Sequence, residues 1–240
     1  MPGPRWRDCR LLLIGLLLIL VLFPSMEEIA RPILLTSVIA AVLVAGVALV
    51  RPGPHRVMTA AVIGLFQVVF TGISATLNTT SLSYPFAAAA VFGATAILIV
   101  YCIYCVLQYV LQARHITRDQ VYAGISIYLM LGLAFGCLYY VLSARYAGCF
   151  AVGGAVPQDG QIPDLMYFSF ITLATLGYGD ITPVTKAART LAEIEALAGS
   201  LYMAVFMARL VSLVPAAKLH VDDREQHPVN LADIDHAPKK

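Results

Sequence analysis

Charged residues are scarce in this chain: they make up 12% of its 240 residues, while hydrophobic residues make up 60%. Soluble domains usually contain about 25% charged residues, so this scarcity excludes an ordinary soluble protein and predicts an integral membrane protein in a lipid bilayer. The formal net charge is only +2, and no basic patch with interleaved aromatic residues is present. We therefore expect no nucleic-acid partner.

Sequence motifs of intramembrane catalysis are also missing. The apolar stretches hold no HExxH, no serine beside a histidine and no paired aspartates. These are the patterns that metalloproteases and other membrane hydrolases need for metal binding or nucleophile activation. We therefore predict that the protein is not an enzyme, that it has no catalytic residues and that it needs no cofactor.

The five cysteines do not form a recognisable metal or redox site. Cys102 and Cys105 are spaced as CxxC, but they lie in an apolar run without a nearby histidine or further cysteine. Structural zinc needs four ligands, so we interpret these two and Cys137 as small buried apolar residues. Cys149, predicted to lie outside the membrane, could cross-link subunits only as an intermolecular pair.

Six apolar stretches approach the length of about twenty residues that a spanning helix needs. They cover residues 11–23, 33–50, 57–77, 85–111, 121–143 and 187–214. The first also resembles a secretory signal peptide, but it lacks an A-x-A-like cleavage site, which favours a retained span. The predicted fold class is an all-α membrane protein with six transmembrane helices per subunit.

A shorter apolar segment, from Pro163 to about Ala174, lies between the last two stretches. Proline in the first turn and Asp164 beside it mark the start of a helix. Twelve residues rise only about 18 Å, which is too short to cross a bilayer, so we predict a re-entrant helix. Irregular backbone after such a helix is tolerated at membrane depth only where protein or water surrounds it.

The six residues after this segment, Thr175 to Asp180, read TLGYGD. Gly177 and Gly179 can adopt positive φ without steric cost, so the carbonyls on either side can turn towards one axis. A plain turn between two helices is the alternative for so short a string. In its setting between two spans, the string resembles the selectivity filter of the potassium channels, whose core usually reads TVGYG.

The resemblance to potassium channels covers residues 121–214 and implies a filter whose backbone carbonyls replace the water shell of K+. The expected K+ ligands are Thr175, Leu176, Gly177, Tyr178 and Gly179, with Asp180 at the outer mouth. A filter needs four strands around one axis, so one string per chain implies a homotetramer. The six-span layout is similar to that of the bacterial six-helix members of this superfamily.

Departures from the family pattern leave alternatives open. Leu176 replaces the usual valine, and Tyr167 and Phe168 stand where many members have two tryptophans. The expected function is passive K+-selective conduction, but a weakly selective cation channel results if Leu176 distorts the filter. A non-conducting membrane scaffold or sensor is the third possibility.

Because Ile171 leaves no carboxylate behind the filter, Asp180 is expected to use the hydroxyl of Tyr167 or Thr172.

The last span contains the candidate gate and two intramembrane carboxylates. The resemblance makes Gly199 a candidate hinge, although a mid-span glycine is equally expected at a close-packing site. A helical wheel places one face on the inner cavity, with a constriction near its cytoplasmic end. This face contains Glu193, Ser200, Met203, Ala204 and Met207, followed by Ala208 and Val211. Glu195 points away from it and is expected to bond a pore-helix hydroxyl such as that of Thr172, while proton sensing stays open for both carboxylates.

The remaining expectations concern domains and topology. We expect a four-helix, non-sensor bundle over residues 1–115, a pore domain over 116–214 and a short solvated tail over 215–240, whose three histidines leave a pH or metal role open. Residues 84–112 contain no Arg or Lys, which argues against voltage sensing.

With the filter mouth outside, seven basic residues face the cytoplasm and four face outward, which places both termini in the cytoplasm of a multi-pass cell-membrane protein. The inner set is Arg5, Arg7, Arg10, Arg51, Arg56, Arg114 and Arg118, and the outer set is Arg31, Arg145, Lys186 and Arg189.

Overall fold

The computed structural model describes residues 9–22, 31–50, 54–77, 84–112, 117–146, 148–154 and 162–212. In these residues the chain forms seven helices and two short strands. In chain order they are α1 Cys9–Leu22, α2 Arg31–Val50, α3 Pro54–Leu77, α4 Tyr84–Leu111, α5 Arg118–Arg145, β1 Phe150–Val152, α6 Ile162–Leu173, β2 Ile181–Pro183 and α7 Lys186–Ser212. The predicted helical stretches each coincide with one of these helices.

Four of the described helices are long and apolar enough to cross a membrane: residues 55–73, 89–111, 118–145 and 186–212. The helical stretches 9–21, 37–48 and 164–173 are apolar but shorter. An all-α, multi-pass membrane protein is therefore confirmed, while the count of six spans stays a prediction. The tail from residue 215, with His220, His227 and His236, lies outside the described residues.

Helix α5 is central to the packing, because α1, α4 and α6 all lie against it. The main core runs continuously from Cys9 on α1 through Phe92 on α4 to Ile127 on α5. Between α3 and α4, the buried Gln67 amide donates a hydrogen bond to the Thr95 hydroxyl. The boundary near residue 115 between a bundle and a pore domain stays a prediction, since the core crosses it.

The GxxxG pair of α5 packs against α6. A methyl group added to Gly132 would meet the ring of Phe170, and one added to Gly136 would meet Met166. The GxxxG spacing predicts close backbone approach to the last span or to a neighbouring subunit. Within the chain both glycines lie against α6 and not against the last span, and a contact with a neighbouring subunit stays a prediction. Small residues let two backbones approach closely, and here they bring the short helix α6 against α5.

Gly132→Ala is expected to lower the thermal stability of the purified protein, measured as the melting temperature in detergent. Alanine favours an isolated helix over glycine by about 1 kcal/mol. Its Cβ, however, would lie 2.5 Å from Phe170 Cε1, and overpacking of this kind costs about 1–3 kcal/mol. The matched control is Gly72→Ala on α3, whose new methyl group meets nothing within 4 Å. Equal melting temperatures for the two variants would contradict close α5–α6 packing.

Candidate functional site

Helix α6 ends in a Schellman cap that leads directly into the TLGYGD string. The Leu176 N–H donates to the Ile171 carbonyl at 2.8 Å, and the Thr175 N–H donates to the Thr172 carbonyl at 2.9 Å. These two bonds place Thr175 at the C′ position, with φ of 57°. A β-branched residue is rare in the left-handed region. Sequence reasoning missed this conformation, because only glycine signals it.

Every second residue of the string has positive φ. The values are 57° for Thr175, 52° for Gly177 and 80° for Gly179, whereas Leu176 and Tyr178 are not in this region. Alternation between left-handed and ordinary backbone turns successive peptide planes, so that neighbouring carbonyls can face the same side. The positive φ predicted for the two glycines is confirmed.

The string lies on the surface of the single chain. Every residue from Ala174 to Asp180 is exposed, and the side chains of Leu176 and Tyr178 are 57% and 69% accessible. In the chain alone, the backbone oxygens of Thr175 to Gly179 are therefore accessible to ions or to further copies of the protein. Among the described residues, no three His, Cys, Asp or Glu side chains are grouped to hold a metal ion, so backbone and hydroxyl oxygens are the ligands that the string offers.

A two-stranded antiparallel sheet holds the outer end of the string. In it, β1 pairs with β2, and the Gly153 N–H donates to the Asp180 carbonyl at 2.8 Å. Glycines and a proline in residues 145–162 predict a loop before α6, and β1 at Phe150–Val152 corrects this prediction. Cys149 beside the sheet is only 2% exposed, and its thiol donates to the Tyr146 carbonyl at 2.9 Å. That burial argues against the intermolecular cross-link considered above.

Asp180 has a partner on α6. Desolvation and the neighbouring Asp180 carboxylate raise the pKa of Tyr167 above the ordinary phenol value. A phenol is protonated at neutral pH and can donate a hydrogen bond to such a carboxylate. This was one of the two partners expected for Asp180 in the absence of a carboxylate at Ile171.

Glu195 joins three helices behind the string. Its side chain is completely buried, and it accepts hydrogen bonds of 2.5 Å from the Tyr139 hydroxyl of α5 and from the Ser169 hydroxyl of α6. A pore-helix hydroxyl was expected, but Ser169 takes the place predicted for Thr172. The Tyr139 ring also makes edge contacts with Phe150 and Phe168, which connects the carboxylate to β1.

Helix α7 attaches to the rest of the chain along one narrow stripe. Its buried positions are Ala188, Glu195, Gly199 and Phe206, while the face predicted to line the cavity is exposed. That face comprises Glu193, Ser200, Met203, Ala204, Met207, Ala208 and Val211. A Cβ on Gly199 would lie 2.6 Å from the Leu173 carbonyl oxygen, so this glycine is a close-packing site. Its role as a hinge stays a prediction.

Comparisons with known proteins agree with this arrangement. A family described as "Ion channel" matches residues 127–215, which include α6, the string and α7. The chain is 39% identical over 71 residues to the inward rectifier potassium channel Kirbac3.1 of Paramagnetospirillum magnetotacticum, covering 28% of this chain and 24% of that protein. It is 34% identical over 95 residues to the two pore potassium channel c of Oryza sativa subsp. japonica, covering 40% of this chain and 20% of that protein.

A third relative matches over most of its own length. Protein LctB of Bacillus caldotenax is 32% identical over 104 residues, which is 42% of this chain and 77% of LctB. The chain thus spans a quarter or less of the two channels above but most of LctB. No solved structure gives a significant match. The chain therefore belongs to the ion channel family, within the potassium channel superfamily.

Proposed function

We propose that the protein is a passive, K+-selective channel of the cell membrane and that K+ passes through Thr175–Gly179, with Asp180 at the outer mouth. The observation that carries the proposal is the alternation of positive φ along an exposed backbone. Neutral carbonyl oxygens facing one side match the water that a large, weakly hydrated cation gives up. Conduction of this kind needs no cofactor, and K+ is the permeant ion.

A homotetramer follows from the same filter. Each chain contributes one copy of the string, and four copies are needed to surround an ion. The exposed, apolar part of α7 supports this assembly, because Leu197, Leu201 and Val205 are each more than 60% accessible in the single chain. Neighbouring subunits and lipid would cover these side chains.

The proposed topology has six spans, with α6 as a re-entrant pore helix and both termini in the cytoplasm. Helix α6 has twelve residues, too few to cross the bilayer. Helix α4, the fourth span, contains no Arg or Lys and no other charged residue. The first four helices therefore form a bundle without a voltage sensor. The carbonyl end of α6 points its negative dipole at a cation below the filter.

Reconstituted protein is expected to carry a barium-sensitive K+ flux, with a reversal potential that follows the K+ gradient when K+ and Na+ are exchanged. The measurement is bilayer recording on protein whose oligomeric mass has been determined in detergent. Equal K+ and Na+ permeability would instead support a weakly selective cation channel. A tetramer without any flux would support a non-conducting scaffold, and a monomer or dimer would contradict the shared filter.

A further inference from the structure

The C-terminal end of α4 presents backbone acceptors that the helix itself cannot satisfy. The last four carbonyls of any helix lack partners within it, and together they form the negative end of the helix dipole. Helix α4 has no basic residue in its last turn to bond them. Residues 113–116 after α4 lie outside the described residues, and within the described residues a donor for these carbonyls comes from another element.

Arg209 of α7 supplies that donor. Its Nη2 donates to the Val110 carbonyl at 3.1 Å and to the Leu111 carbonyl at 2.5 Å, across 99 and 98 residues of sequence. The planar guanidinium keeps its charge at any physiological pH and presents several N–H groups at fixed angles. It therefore suits a site with two adjacent carbonyls and a negative dipole.

Arg209 continues the attachment stripe of α7. Above it, the Tyr202 hydroxyl donates to the Gly124 carbonyl of α5 at 2.5 Å, and the Phe206 ring fills the space over Gly124. Positions 202, 206 and 209 are four and three residues apart, so they share one side of the helix. The first two hold α7 to α5, whereas Arg209 reaches α4 of the N-terminal bundle.

The residues proposed to line the lower pore lie in the same helical turn as Arg209, but their side chains are on the exposed side of α7. Met207 and Val211 are 52% and 70% accessible, and Ala208 is exposed as well. A displacement of the α4 end therefore shifts the side chains of the candidate constriction directly. We propose, on the basis of the channel function above, that Arg209 is a positioning residue through which the N-terminal bundle controls the opening of the pore.

The test is single-channel recording of the full-length chain in bilayers, comparing wild type with Arg209→Ala and Arg209→Lys. Loss of an energetic link between two elements typically changes an equilibrium by about 5-fold to 150-fold. We expect Arg209→Ala to change the open-to-closed ratio by about fivefold or more, on that scale. Unit conductance and the K+/Na+ permeability ratio should stay those of the wild type. Lysine keeps the positive charge but lacks the planar set of N–H donors, so Arg209→Lys should change the open-to-closed ratio less than Arg209→Ala does.

Arg118→Ala is the matched control, because Arg118 is an exposed arginine on the same side of the membrane, at the start of α5. It should leave the open-to-closed ratio unchanged. An unchanged ratio in Arg209→Ala, or an equal shift in Arg118→Ala, would overturn the coupling while leaving the channel function intact. Absence of K+ current in the wild type would instead reject the channel function. If Arg209→Ala does not assemble, Arg209→Lys decides by the same readout.

Discussion

Gly179→Ala is expected to reduce K+ flux to the level of protein-free liposomes. Gly179 has φ of 80°, a conformation that an alanine reaches only at a cost of about 1–2 kcal/mol per residue. In a tetramer this strain acts on four strands at once. The backbone would relax towards negative φ, and the Tyr178 and Gly179 carbonyls would then turn away from the ions they are proposed to bind.

The matched control for this substitution is Gly154→Ala, just after β1. Gly154 has φ of 84°, and a Cβ at either glycine meets nothing within 4 Å, so the two substitutions impose the same local strain. Only Gly179 belongs to the proposed filter. Liposome flux and elution volume should both be measured, and Gly154→Ala should match the wild type in each. Wild-type flux in Gly179→Ala would reject the proposed ion path, whereas equal loss in both variants would indicate a general folding effect.

Glu195→Leu is expected to lower both the melting temperature and the K+ flux. The substitution removes the acceptor of the fully buried Tyr139 hydroxyl. An orphaned buried donor costs about 1–3 kcal/mol. The loss also removes the hydrogen bond between Ser169 on α6 and α7, so the helix that precedes the proposed filter is less firmly held. The Ser169 hydroxyl can then donate its one proton to the Gly132 carbonyl, which lies 2.7 Å away, so α6 stays attached to α5.

Two control variants show whether the hydrogen bonds of Glu195 matter, as opposed to its charge or to a leucine substitution anywhere on this part of α7. Glu195→Gln has the same shape, can accept from Tyr139 and can donate to Ser169, so we expect it to retain most of the stability and flux. Glu193→Leu makes the same change two residues away at an exposed position, and its melting temperature should equal that of the wild type. A wild-type melting temperature in Glu195→Leu would show that the buried carboxylate does not hold the three helices together.

The helices and the glycines of the filter could be predicted from sequence because their signals are local. Hydropathy marks α2 to α5 to within a few residues, and the need for positive φ explains Gly177 and Gly179. The features that were missed depend on distant contacts. Ser169 and Tyr139 meet Glu195 across 26 and 56 residues, and nothing in the local sequence distinguishes Ser169 from the equally suitable Thr172.

The conformation of Thr175 shows the opposite limit. Its φ of 57° conflicts with the local preference of a β-branched residue, so propensity alone predicts the wrong region. The bonds of Leu176 and Thr175 to the end of α6 impose the conformation instead. Residues whose local preference is overridden in this way are concentrated at functional sites, where the surrounding structure offsets the strain.

The close approach of α7 at Gly199 to the Leu173 carbonyl connects the helix that carries the candidate gate to the start of the proposed filter. Leu173 lies two residues before Thr175, and its carbonyl also accepts a hydrogen bond of 3.1 Å from the Tyr128 hydroxyl. A sideways movement of α7 at this point would therefore press on the start of the proposed filter. In the proposed channel, ion occupancy of the filter and the position of α7 would be linked equilibria, and bound ions would stabilise one arrangement of α7 as strongly as that arrangement favours the ions.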